Sequence, residues 1–245
     1  MLTACLQTLI VIWIGVVVTP LVRAQKPVGV HEAGSAEAAA TAAGKQATVA
    51  SAVRISTPDG RLLGCGVIVS QGEREFDVLT ADHIVRDAAQ WIIQCHSPGK
   101  NGQLGQVFQH RNVQVVAQDA RADLARLRVK SGIPVAGVIT LTTPEQGRQL
   151  DELTSQKRLS AWVVEWTTAD QLKTRQVHVL RRHLARRTPQ AEPVSFWELS
   201  EPSVSGMSGG ALVSDNGLLL GIASGNSGQH AFYTDEREIA QFMAK

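Results

Sequence analysis

Three residues far apart in this 245-residue chain are of the types that acyl-transfer chemistry needs. Ser208 lies in Val204-Ser205-Gly206-Met207-Ser208-Gly209-Gly210-Ala211-Leu212-Val213, between glycines and just ahead of an apolar run. Glycines beside it open backbone conformations closed to other residues and clear space around the hydroxyl. Such a turn suits a serine nucleophile whose own N–H and that of Gly206 face one developing oxyanion. A serine hydroxyl attacks poorly without a base, and the base needs an orienting acid. His83, closing Val78-Leu79-Thr80-Ala81-Asp82-His83, and Asp123, opening Asp123-Leu124-Ala125-Arg126-Leu127-Arg128-Val129, have the types for these two parts. Asp119 is a nearby alternative, but the apolar alternation starts directly after Asp123. Asp82 adjoins the base and is given no role.

The elements that must hold these residues read as strands. Apolar residues make up 44% of the chain and charged residues 19%, enough to bury a core. Few aromatics, 21 glycines and many Val/Leu/Ile clusters favour an all-β fold with tight turns. A first set of strands covers Ala50–Ile55, Leu62–Ser70, Phe76–Thr80, Gln90–Cys95, Val113–Ala117 and Leu124–Val129, with one helical turn over Ile84–Ala89. A loop carrying Pro98, Gly99, Gly102 and Gly105 separates the fourth from the fifth. A second set covers Val138–Leu141, Leu159–Trp166, Leu172–Leu180, Val194–Leu199, Ala211–Val213 and Leu218–Ala223, with His230–Tyr233 as a further candidate. Pro58-Asp59-Gly60 and Asp215-Asn216-Gly217 are turn signals. Asp235 is a fair N-cap for a short C-terminal helix bearing Ile239, Phe242 and Met243. Two six-stranded antiparallel barrels follow, about 48–132 and 133–245, with His83 and Asp123 on the first facing Ser208 on the second across a cleft.

Ahead of residue 48 the chain changes character. Leu9 to Val18 is uninterrupted apolar sequence, and Val22-Arg23-Ala24 resembles a cleavage site, so residues 1–24 are expected to be an export signal or a membrane anchor. Residues 25–47, rich in Ala, Gly and Ser, are expected to be a disordered linker. An exported or membrane-anchored location follows, with the folded domain outside the cytoplasm. Cys5, Cys65 and Cys95 are too few for a disulfide framework; Cys65 and Cys95 are either one bridge or two buried thiols.

With those residues in place, the chain resembles the trypsin-like (chymotrypsin-fold) serine peptidases, which run His, Asp, Ser in chain order. Thr80-Ala81-Asp82-His83 is similar to the family's Thr-Ala-x-His, Asp123-Leu124-Ala125 to its Asp-(Ile/Leu)-Ala, and Gly206-Met207-Ser208-Gly209-Gly210 to its Gly-x-Ser-Gly-Gly. The resemblance implies a serine endopeptidase with Ser208 as nucleophile, His83 as base, Asp123 as orienting acid, and the N–H groups of Gly206 and Ser208 as oxyanion hole. Leu220-Gly221-Ile222-Ala223-Ser224-Gly225 resembles the substrate-binding strand, which places Ser224 and Gly225 beside the substrate. Members that cut after Lys or Arg carry an Asp six residues before the serine; here that residue is Pro202. Many secreted animal members have Cys after the base; here it is Ile84, which points to the bacterial Deg/HtrA-like side, without its C-terminal peptide-binding domain.

The expected partner is a protein or peptide substrate, and no cofactor is implied. His31, His96, His110, His178 and His230 lack metal-ligand spacing. Arg181-Arg182-His183 with Arg186-Arg187 is the one basic cluster, and a net charge of +2 makes a solvated strand edge a better reading than a nucleic-acid site. Trp162, Trp166 and Trp197 sit in strand-like runs as packing residues. Two other function classes compete: an α/β-hydrolase, whose nucleophile elbow Gly206-x-Ser208-x-Gly210 satisfies, and a non-catalytic binding protein on the peptidase fold.

Overall fold

A computed structural model describes residues 42, 44–86, 88–166, 172–186 and 189–245. The expected export signal or anchor lies outside the described residues, as does most of the expected linker. Residues 44–51 form a helix, α1, so the last part of that linker is ordered and the first strand starts two residues later than expected. Alanines favour the helix, and it seats on the β-turn at Ser214–Gly217: a Cβ on Gly44 would lie 2.1 Å from the Asp215 carbonyl oxygen.

Two β-sheets follow, each of seven strands. The first contains β1 (Ala52–Ser56), β2 (Leu62–Gln71), β3 (Glu75–Thr80), β4 (Ile92–Pro98), β5 (Leu104–His110), β6 (Val113–Asp119) and β7 (Leu124–Lys130), in the order β5-β4-β1-β2-β3-β7-β6. Helix α2 (Asp82–Arg86) leaves the end of β3. The second contains β8 (Thr140–Leu141), β9 (Ser160–Trp166), β10 (Leu172–Ala185), β11 (Val194–Leu199), β12 (Ala211–Ser214), β13 (Leu218–Ser227) and β14 (His230–Asp235). Its order is β12-β9-β10-β11-β14-β13-β8, and pairing of β12 with β13 closes six of these strands into a barrel. Helices α3 (Pro144–Ser155) and α4 (Glu236–Met243) complete the chain. The pairings are antiparallel except β8 on β13, which excludes the α/β-hydrolase reading.

β5 fills a stretch read as a loop in the sequence, and α3 one for which no element was expected. β5 pairs with β4 from Ile93↔His110 to Pro98↔Leu104, so the glycines punctuate a hairpin rather than one long loop. β10 runs on to Ala185 through a bulge between Val179 and Arg181, beyond its expected end at Leu180.

The two sheets share a core cluster between them. Val67, Leu79 and Leu124 of the first pack in a single cluster with Phe196, Ala211, Leu219 and Ile222 of the second and with Ile239 and Phe242 of α4. Burying these faces against each other fixes the relative position of β3, β7 and β13, which carry the candidate site. Two residues of the basic cluster are held by ion pairs. Arg181 binds Glu198, and Arg182 lies 3.9 Å over the Trp197 ring while pairing with Asp151, Asp235 and Glu236.

Candidate active site

His83 comes to its place because β3 ends in a pinned strand. The Thr80 hydroxyl donates to the Cys65 carbonyl (2.6 Å), Ala81 is fully buried, and the chain turns into α2. The first N–H groups of a helix have no partner within it; Asp123 Oδ1 accepts that of His83 (3.0 Å). The same carboxylate takes the imidazole, with His83 Nδ1 2.8 Å from Oδ2 and 3.1 Å from Oδ1. An ionised carboxylate only accepts hydrogen bonds, so this contact favours the tautomer with its proton on Nδ1, which turns Nε2 into the acceptor. The His83 side chain is 34% exposed, whereas Asp123 is fully buried.

Asp123 enters β7 at φ +56°, a left-handed conformation that Asp tolerates better than most residues. That turn aims its carboxylate inward while Leu124 and Ala125 continue into the core. The Ser224 hydroxyl, from β13 of the other sheet, donates to Asp123 Oδ2 (2.7 Å). Ser224 was expected only beside the substrate; its hold on the acid adds a role that no spacing in the sequence reveals. Asp119 instead accepts the N–H groups of Arg121 and Ala122 and pairs with Lys245, and Asp82 holds Gln118 and Arg86. Both are spent away from His83.

Ser208 sits on the turn between β11 and β12, where Gly206 has φ +92° and Gly209 φ +78°. The turn is wedged against the strand end that carries His83. Cys65 N–H donates to the Ser208 carbonyl (2.8 Å), and a Cβ on Gly209 would lie 2.2 Å from both Cys65 O and Thr80 Oγ1. Gly209 N–H donates to Ala223 O (2.8 Å), tying the turn to β13 just before Ser224. The Cys65 thiol donates to Gly206 O (3.2 Å), and Met207, buried behind the turn, takes the Val204 N–H on its sulfur (3.2 Å). Among the described residues no protein acceptor takes the N–H of Gly206 or Ser208. Nor does a hydrogen bond join Ser208 Oγ to His83; such bonds commonly tighten only when substrate is bound. Gly225 follows Ser224 on β13 and pairs with Phe232.

Cys65 and Cys95 are buried and not bridged to each other. Cys95 Sγ lies 3.5 Å from His110 Nε2, but burial pushes the thiol up to about 12 and holds the imidazole below its ordinary value. Both groups are therefore neutral, and the pair is not a thiolate–imidazolium nucleophile.

The model of the family described as Trypsin matches residues 37–242. No curated relative matches the sequence. Solved structures share the fold at low identity. The Rv3671c protease of M. tuberculosis in its active form is 20% identical with a TM-score of 0.60, over 81% of this chain and 82% of that one. The MamO protease domain of Magnetospirillum magneticum is 17% identical with a TM-score of 0.60, over 80% and 96%. The HtrA-type protease AlgW, solved with a decapeptide, is 18% identical with a TM-score of 0.56, over 82% and 66%. The order of the strands, the closed second barrel and the family match over most of the length agree: this chain belongs to the trypsin family.

Proposed function

We propose that this protein is a serine endopeptidase that cleaves protein or peptide substrates through a covalent acyl-enzyme. Ser208 Oγ attacks the carbonyl carbon, and His83 Nε2 takes its proton and delivers it to the leaving amine. Asp123 keeps the ring in the tautomer with a proton on Nδ1 and stabilises the imidazolium as it forms. The N–H groups of Gly206 and Ser208 receive the oxyanion, each donor contributing about 3–4 kcal/mol. Water then enters by the same base and releases the acyl group. The observation that carries this reading is the fully buried Asp123 carboxylate bound at once by the His83 N–H, the His83 ring and Ser224, next to a glycine-flanked serine turn.

Labelling of the purified protein with a fluorophosphonate probe tests the reading, beside Ser208→Ala and His83→Ala. Wild type is expected to label and both variants to stay unlabelled. Folded wild-type protein that does not label would leave a non-catalytic binding protein on this fold.

The location goes with this reading. The apolar run Leu9–Val18 supports export or anchoring through residues 1–24. N-terminal sequencing of protein from membrane and exported fractions decides it: a start near Gln25 indicates cleavage, an intact start in the membrane indicates an anchor, and recovery from the cytoplasm refutes both.

A further inference from the structure

We infer that the Asn226 side chain, tied across to Ser203, is a gate that confines the substrate residue just upstream of the scissile bond to glycine, alanine or serine. The inference rests on the peptidase reading above and names the substrate class of the same site.

The path of a substrate is set by fixed points. Its reacting carbonyl must lie at Ser208 Oγ with the oxygen towards the Gly206 and Ser208 N–H groups. Upstream, the chain must lie along an edge able to pair with it, and β13 supplies one. Pairing with β12 stops at Ile222, while β14 covers only the other edge of residues 225–227. An extended segment laid on that free edge sends its last side chain between β13 and the Ser203–Ser208 loop.

Asn226 spans that space. Its Oδ1 accepts both the Ser203 N–H (2.9 Å) and the Ser203 hydroxyl (2.7 Å), and its Nδ2 donates to the Ser203 carbonyl (2.9 Å). Three bonds to one residue fix both faces of the amide, so the side chain is a strut rather than a swinging arm. Asn226 pairs with Ala231 on β14, and Ala231, Ala223, Met207 and Tyr233 belong to one packed cluster, each 2% exposed or less. The strut itself is neutral, so a Lys or Arg side chain meets no carboxylate on it. A branched, aromatic or long side chain must break the bridge to enter; a methyl or hydroxymethyl group fits in front of it.

The test uses phosphonate probes and fluorogenic peptides identical except for that residue: Gly, Ala, Ser, Leu, Phe or Lys. Wild type is expected to favour Ala over Leu and Phe by about tenfold or more, the scale on which a hydrophobic pocket tells side chains apart. Asn226→Ala, which removes the strut, is expected to raise the Leu-to-Ala ratio of kcat/KM by about tenfold. Asn226→Leu keeps the bulk without the hydrogen bonds and is expected to admit Leu, though less than Asn226→Ala does, because the untied side chain can swing aside. The gate is overturned if wild type accepts Leu or Phe as well as Ala. It is overturned as well if Asn226→Ala slows all substrates alike, since the bridge would then only brace the serine turn. Failure of every probe, the fluorophosphonate included, sinks the peptidase reading and the gate with it.

Discussion

Asp123 is the residue on which the site depends most, and its partners differ in how much of them the sequence announces. The Asp-Leu-Ala pattern singled it out, and the strand alternation after it separated it from Asp119. Its contact with Ser224 was hidden, because the two lie on different sheets and only the shared core brings them together. A hydrogen bond to a charged group contributes about 1.5–3 kcal/mol. Ser224→Ala is therefore expected to slow fluorophosphonate labelling by about tenfold or more and to lower the thermal midpoint by several degrees. The Asn226–Ser203 bridge was equally silent in the sequence, since nothing in two polar surface residues signals that they face each other. His110 makes a prediction of a different kind. Burial holds its pKa below the ordinary value near 6.5, so the unfolded chain binds a proton that the folded one refuses. Its contribution to stability is complete above that ordinary value and is lost as pH falls through it towards the lower folded value. Urea midpoints measured from pH 7 down to pH 5 should fall, and should fall less steeply in His110→Gln.

At the scale of elements, what could be read depended on how strongly a segment alternates or punctuates. β2, β3, β7 and β11 are buried apolar runs between turn residues, and they formed where expected. β5 escaped because its exposed Gln and Val residues break the alternation and glycines lie in and before it. α3 escaped because Leu150 and Leu153 are too sparse to mark a face, most of the helix being solvated. Its start was nevertheless written in the sequence. Thr143 caps the Gln146 N–H, Gln146 reaches back to the Thr143 N–H (2.8 Å), and Pro144 occupies the first helical position. Thr143→Ala should cost about 1 kcal/mol, read as a lowered urea midpoint with an unchanged slope. α1 was hidden for a similar reason: an alanine-rich stretch without an apolar face reads as solvent-exposed chain until the Ser214–Gly217 turn is there to receive it.

At the scale of the molecule, the site is a seam between two sheets. The first supplies the candidate base and acid, His83 and Asp123; the second supplies the serine turn and the Ser224 hydroxyl that binds Asp123. Gly209 is the closest point of that seam, with φ +78° and the Cys65 carbonyl where a methyl group would go. Gly209→Ala combines backbone strain with a clash against main chain that cannot retreat, and is expected to destabilise the fold by about 2–5 kcal/mol. Thermal unfolding followed by circular dichroism checks the loss, and probe labelling should fall with it.

The closure of the second barrel has a consequence for the order of events during synthesis. The serine turn is backed by Ala223 on β13, and β13 is held by β14, which comes near the C-terminal end of the sequence. A growing chain can therefore complete the sheet that carries His83 and Asp123 while Ser208 still lies on an unclosed strand. On a ribosome, the nascent protein would hold His83 and Asp123 together before the serine turn is backed, so under the proposed function chemical competence arrives with the β13–β14 hairpin.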